Sequence, residues 1–236
     1  LLKHVADDGR IHGGVISNGA VTGRMTHKKP NMAQTPRKNV PYGEEFRGLF
    51  TVPEGKALVG VDASGLELRM LAHYMARYDG GEYVKAVAEG DVHTHNQKVA
   101  GFESRDVSKR FIYAFLYGAG DAKLGEICGT GPRGGRYLRR RFLEGLPAID
   151  KLKQGINHAI DTRGYLVGLD GRQLRIRSKH SALNALLQSA GALVMKWALC
   201  ILSAELQKRK LDAKFVANIH DEWQIEVRED QASLVG

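Results

Sequence analysis

FVANIHDEWQIEV (residues 215–227) holds the pattern on which the fold turns. Its second half alternates strictly, so Trp223, Ile225 and Val227 share one face of an extended strand. The first half is also strand-like, and the His220-Asp221 dipeptide separates the two. The segment therefore predicts two strands joined at a turn that carries an imidazole and a carboxylate. Far upstream, ALVGVD (57–62) is an apolar run that ends on an acid and is broken by Ser64 and Gly65. It predicts a buried strand that delivers Asp62 to its end.

Between these strand segments the pattern changes. LELRMLAHYMARY (66–78) spaces Leu68, Leu71, Met75 and Tyr78 at three- and four-residue steps, which predicts a helix. From 79 to 165 helices predominate, the clearest over 105–117 with Ser104 as its N-cap. LDGRQLRIRS (169–178) combines Asp-Gly turn chemistry with alternation and predicts a hairpin. A long helix is predicted over 181–209, with Leu183, Leu186, Leu187, Leu193 and Val194 as core candidates. Pro30, Pro36 and Pro41 exclude a long helix near the start. Strands at both ends with helices between them predict an α+β fold, a helical subdomain inserted into a sheet-based one.

At 236 residues, 43% hydrophobic and 26% charged, the chain has enough material for one or two domains with real cores. No apolar run reaches the ~18 residues of a membrane span, and no signal-peptide pattern opens the sequence. The formal charge of +9 favours a polyanionic partner, above all nucleic acid. Cys128 and Cys200 are expected as two buried thiols in a reducing compartment. The opening LLKHVADDGR, without a starting Met, is expected to belong to a longer protein.

The chemistry gathers in three places. In RDVSKRFIYAFLYGAG (105–120), Arg105, Lys109 and Tyr113 recur at steps of four, close to one helical face. Two cations so spaced repel each other by about 0.2–0.5 kcal/mol. A helix start, an arginine able to clamp phosphate, a lysine one turn on and then an aromatic suit a ligand with phosphates and a sugar or ring. Asp62 and Asp221, at the ends of rigid strands, are hard oxygen donors for divalent cations. A pair of such ions, about 3.5–4 Å apart, activates an attacking oxygen and stabilises a leaving one. Each element alone also has a plain structural explanation: a strand-end aspartate, or a solvated helix. The basic run Arg136–Arg141 reads either as a solvated helix face or as a contact for a phosphate backbone.

DASGLELR (62–69), R-x3-K-x3-Y-x3-YG (105–118) and HDE (220–222) together resemble the three polymerase motifs of the family A, Pol I-like DNA polymerases. TGR (22–24), with PN (30–31) and Gln34, GDVHT (90–94) and NALLQSAGA (184–192) fit the same family in order and spacing. The forms of DASGLELR and NALLQSAGA resemble the replicative enzymes of T-odd-type podophages. This resemblance implies a palm, an antiparallel sheet with packed helices, over 1–75 and 169–236. The first part includes a remnant following the thumb, and the second is truncated at its C-terminal end. A mostly helical fingers subdomain would occupy 76–168.

It also implies roles. Asp62 and Asp221, with the Ala63 carbonyl, would bind two Mg²⁺ ions. His93 and Arg105 would hold the β- and γ-phosphates of a dNTP. Lys109 would serve the α-phosphate side and act as general acid to pyrophosphate. Tyr113 would pack on the deoxyribose, a tyrosine there going with acceptance of dideoxynucleotides. Glu67 would screen the sugar 2′ position. Tyr117 and Gly118 would shape the template-base slot, Arg24 and Gln188 would probe the minor groove, and His220 would support the primer terminus. Glu222 is either a supporting residue or merely adjacent. Bacterial members carry an arginine where His180 falls and a glutamine where Gly65 falls.

The implied partners are primer-template DNA, dNTPs and a processivity factor bound outside these residues, with no membrane. The implied setting is the cytoplasm, that of the host cell for a phage-encoded protein. The implied enzyme is a DNA-directed DNA polymerase, with most of a thumb before Leu1 and more palm after Val227, so residues 1–236 alone would have little or no activity. Two rivals share parts of this pattern. Glu67 argues against a single-subunit RNA polymerase, which needs room at that position. Intact Asp62 and Asp221 argue against a non-catalytic nucleic-acid-binding module. A metal phosphohydrolase, suggested by the His-Asp dipeptide, lacks further His and Asp ligands.

Overall fold

The computed structural model describes residues 2–236. In chain order the elements begin with β1 (Gly14–Ile16), β2 (Thr26–Lys28), α1 (Gly43–Gly48), β3 (Lys56–Asp62) and α2 (Leu66–Asp79). Six helices follow: α3 (Glu82–Ala88), α4 (Val92–Ala100), α5 (Arg105–Leu116), α6 (Asp121–Ile127), α7 (Pro132–Gly145) and α8 (Pro147–Arg163). Then come β4 (Tyr165–Val167), β5 (Gln173–Arg175), α9 (Ala182–Lys208), β6 (Ala213–Ile219), β7 (Glu222–Arg228) and α10 (Ala232–Val235). The chain divides into two compact units, Leu1–Ser64 with Ala192–Gly236, and Gly65–Gly191. This is the α+β arrangement that the sequence predicts, with a helical stretch inserted between strand-bearing ends.

The first unit is built on an antiparallel sheet in the order β3-β7-β6. Strand β7 is central. Its alternation buries Trp223, Ile225 and Val227 at 6%, 0% and 0% exposure. On its other face Glu226 is also buried, and Arg10 donates two hydrogen bonds to that carboxylate at 2.8 and 3.0 Å. A buried charge needs such a partner. The register runs from Lys56 opposite Arg228 to Asp62 opposite Glu222 without interruption. β6 carries a bulge between Phe215 and Ala217, so Val216 is the extra residue. β3 is an edge strand with alternating exposure rather than the buried strand that its apolar run suggests. It pairs with β7 alone, and Leu58 is left 45% exposed.

The second unit has a helical core. α2 contributes Leu68, Leu71 and Met75, and α9 contributes Leu183, Leu186 and Leu187. α5 is anchored by aromatics: Phe102 lies 4.5 Å from Phe111, and Phe115 meets Phe142 of α7 edge-on at 5.2 Å. Such pairs contribute about 0.5–1.5 kcal/mol beyond area burial. The N-cap of α5 is as predicted, the Ser104 hydroxyl accepting from the Val107 N–H at 3.2 Å. The predicted hairpin forms around Asp170-Gly171, but its first strand is Tyr165–Val167, upstream of the segment that carries the turn signal.

Two further expectations change. The helical stretch Lys179–Lys208 is long and apolar enough to cross a membrane by length and composition, with 44% of its most apolar window buried. Gln188, Ser189 and Lys196 keep its uninterrupted apolar runs short while its average hydropathy stays high. Of the two cysteines, both free, Cys128 is half-buried and Cys200 is exposed.

GTGPRGG (129–135), which leads from α6 into the first turn of α7, is a packing joint. A Cβ on Gly135 would collide with the Asp121 carbonyl oxygen and with the Gly125 N–H group. Gly135→Ala is therefore expected to lower unfolding stability by about 1–3 kcal/mol through backbone displacement. Denaturant unfolding measures this, and an unchanged midpoint would show that the two helices can separate without loss.

Candidate active site

In the first unit, the ends of β3 and β7 bring four of the predicted residues, Asp62, Ala63, Asp221 and Glu222, to one end of the sheet. Asp62 closes β3 opposite Glu222, and the Ala63 N–H donates to the Asp221 carbonyl at 2.9 Å. Asp62 is exposed and Asp221 half-buried. The link between β6 and β7 is the two-residue turn His220-Asp221, with His220 in the left-handed region at φ 58°. Glu222 accepts a short hydrogen bond from the Gln224 side-chain amide, which engages it within its own strand.

Among the described residues, no three His, Cys, Asp or Glu side chains gather as a self-sufficient metal cage. Two carboxylates and the Ala63 carbonyl, all hard oxygens, fit Mg²⁺, which takes few protein ligands and completes its shell with water and substrate phosphates.

Beside the turn, Arg24, Met25, Met195, Lys196, Asn218 and His220 line one cleft of this unit. Arg24 and His220, which the resemblance ties to DNA, thus share a surface. Lys196 joins them, its ammonium donating to the Ser17 carbonyl at 2.7 Å and to the Asn18 side chain at 2.5 Å. The sequence reading missed Lys196; its signal was a place eight residues, just over two helical turns, beyond Gln188.

The second unit gathers His93, Arg105, Lys109 and Tyr113. Arg105 and Lys109 are exposed on α5, and Tyr113 is half-buried. Their organiser is Asp91, which the sequence reading also missed. As N-cap of α4 it accepts from the His93 N–H at 3.1 Å and the Thr94 hydroxyl at 2.8 Å. It also accepts Nε and Nη2 of Arg105 at 2.5 and 3.2 Å. The Arg105 hydrogen bond, then that from Thr94, holds the Asp91 carboxyl well below the ordinary range. An Asp two residues before a histidine and three before a threonine was the available signal, since that spacing makes an N-cap.

Ser108 donates to the His93 carbonyl at 3.0 Å, and the His93 and Tyr113 rings lie 6.1 Å apart. His93 Nδ1 is buried with no hydrogen-bond partner among the described residues. Burial, then the charges of Arg105 and Lys109, push the His93 pKa below its ordinary 6.5, so the ring is neutral at pH 7.

In the same unit the Tyr117 hydroxyl donates to the Glu67 carboxylate at 3.3 Å. Gly118 takes φ 81°, and a Cβ there would lie 2.8 Å from the His180 ring. His180 is therefore packed against the end of the predicted template slot. Gln188 is half-buried on α9. Asp62, Ala63, Asp221, Glu222, Arg24 and His220 belong to the first unit, and Glu67, His93, Arg105, Lys109, Tyr113, Tyr117, Gly118 and Gln188 to the second.

The family model of DNA polymerase family A matches residues 1–236. The DNA-directed DNA polymerase of Enterobacteria phage T3 is 45% identical, over 98% of this chain and 37% of its own length. That of Escherichia phage T7 is also 45% identical, over 99% of this chain and 37% of its own length. The chain thus spans little more than a third of these relatives. Its fold is similar, with a TM-score of 0.88 and 24% identity, to the POL domain of Pol1 from M. smegmatis in complex with DNA primer-template and dNTP, over 99% of this chain and 44% of that one.

The environment of His93 makes a titration test. Its imidazole should titrate below 6.5 by NMR, and Arg105→Ala should raise the midpoint part of the way back, because burial remains. Since the folded-state value is depressed, the stability tied to a neutral His93 is present above pH 6.5 and is lost as pH falls through the folded value. An unshifted His93 titration would contradict this electrostatic picture.

Proposed function

The chain belongs to DNA polymerase family A, and we propose that it carries the template-directed transfer of a dNMP from a dNTP to a primer 3′-OH. The hydroxyl attacks the α-phosphate and pyrophosphate leaves. The observation that carries this reading is the end of the β3–β7 ladder, where the Ala63 N–H to Asp221 carbonyl bond draws two carboxylate-bearing segments together. Asp62, Asp221 and the Ala63 carbonyl would hold two Mg²⁺ ions. Bound there, such ions supply charge neutralisation at the phosphates and acidify the attacking hydroxyl.

The remaining work falls to the side chains of the second unit. Arg105 exchanges the Asp91 carboxylate for the β- and γ-phosphates, a replacement of one bidentate anion by another. His93, neutral and fixed by Ser108 and Asp91, faces the same phosphates. Lys109 donates a proton to the departing pyrophosphate. Tyr113 packs on the deoxyribose, and Glu67, oriented by the Tyr117 hydroxyl, closes off the 2′ position. Tyr117 and Gly118 shape the template slot. Arg24 and Gln188 follow the minor groove and His220 supports the primer end. Catalysis of this type is mainly positioning and charge stabilisation. In this reading residues 1–75 and 169–236 act as palm and 76–168 as fingers. Primer-template DNA and dNTPs are the ligands, a processivity factor binds elsewhere on the longer protein, and the work is done in the cytoplasm of a host cell.

In the full-length protein, Asp62→Ala should reduce primer extension at least about a hundredfold, the scale of losing one key charge-stabilising group. Equal activity would refute the catalytic assignment. Glu67→Ala should raise ribonucleotide relative to deoxynucleotide incorporation, and an unchanged ratio would remove Glu67 from the sugar gate.

A further inference from the structure

One face of α7 takes no part in the site above. The helix carries five arginines and one carboxylate. At 100° per residue, Arg133, Arg136, Tyr137, Arg140, Arg141 and Glu144 fall on one side, opposite buried Phe142 and Gly135. Arg136 is 83% exposed, Arg140 68% and Tyr137 49%. Asp121 pairs with Arg136 and Arg139, and Glu144 reaches Arg140 at 3.6 Å. Arg133 and Arg141 have no carboxylate partner among the described residues. The guanidiniums of Arg140 and Arg141 lie 5.9 and 5.8 Å from the Tyr137 ring centre, so they flank the ring while it stays half in solvent. Next to this face runs a groove of about 620 Å³ between α7 and α8, where the bases Arg136, Arg139, Arg140 and Lys151 face three acids, Asp121, Glu144 and Asp150.

We propose that this arginine–tyrosine face and the groove beside it bind single-stranded nucleic acid, the uncopied part of the template, an inference that rests on the polymerase reading. A merely solvated helix face intersperses acids with bases. This one concentrates arginines at three- and four-residue spacing, where they repel one another, and leaves an aromatic ring exposed among them. Arginine rather than lysine suits bidentate contact with phosphate oxygens and stacking on rings. An exposed ring within a basic track is the means by which single strands are held without regard to sequence, each base offering a π-face. Paired bases present only their edges, so a duplex has no use for the Tyr137 ring. An acidic peptide would use the arginines but not the ring.

The test uses the full-length protein and fluorescence anisotropy with three probes. These are a primer-template with a one-nucleotide template overhang, the same duplex with a ten-nucleotide overhang, and a poly-glutamate peptide. Wild type should bind the long overhang at least about fivefold more tightly than the short one, the lower end of what a stacked base contributes. Tyr137→Ala and Arg136→Glu/Arg140→Glu should abolish that advantage, while binding to the short overhang and single-nucleotide insertion on it stay at wild-type level. Tyr137→Phe should restore it. The double variant should also reduce the salt slope of long-overhang binding by about 1.4 through two lost phosphate contacts.

Thermal midpoints equal to wild type establish that the variants are folded. Several outcomes would overturn the proposal: no overhang advantage in wild type, an advantage that survives both variants, or poly-glutamate binding as tight as the long overhang and indifferent to Tyr137→Ala. Absence of nucleotide insertion, with Tyr137-dependent binding of the overhang intact, would instead overturn the polymerase reading and support the track.

Discussion

The register of β3 on β7 is the constraint on which the candidate site depends. Side chains alternate along a strand, so a slip of one residue would turn Asp62 to the opposite face and break the Ala63–Asp221 contact. At the carboxylates the Ala63–Asp221 backbone bond marks the register. It is held along the length of β7, by Trp223, Ile225 and Val227 buried on one side and by the Glu226–Arg10 pair on the other. Lys56 adds an ion pair with Asp212 at the far end of β3. Apolar packing several residues away thus helps to set the position of Asp62 and Asp221 at the end of the ladder.

Much of this was legible in the sequence because the signals are local. The period-two run in WQIEV, the 3.6 period of α2 and the Ser104 cap each follow from residues a few positions apart. Where the reading stopped, the cause is distance along the chain. Arg105 and Asp91 are fourteen residues apart, and neither hints at the other. Arg10 and Glu226 are separated by 216 residues, so a buried glutamate in the middle of a strand could not be given a partner beforehand. The edge position of β3 is a property of the sheet and not of ALVGVD. The glycines of GTGPRGG admit another backbone at close range, a requirement that composition alone does not distinguish from conformational freedom.

In the second unit the electrostatics centre on Asp91. Asp91 occupies the guanidinium of Arg105 and simultaneously fixes His93 through the cap of α4. In the proposed reaction an incoming triphosphate would meet an arginine already aimed by a carboxylate, with its side-chain entropy partly spent beforehand. Burial and the charges of Arg105 and Lys109 disfavour a third positive charge on His93, so the ring does not add to the repulsion between those two cations.

The turn at His220 carries a different lesson. A left-handed backbone disfavours a side chain with a Cβ by about 1–2 kcal/mol, and glycine or asparagine would sit there at less cost. This hairpin instead bears an imidazole on the cleft that Arg24 and Lys196 also line. Under the proposed function, position 220 is therefore a point where thermal robustness and primer support pull in opposite directions. Engineering for heat resistance that swapped in glycine would harden the turn and strip the cleft of its ring.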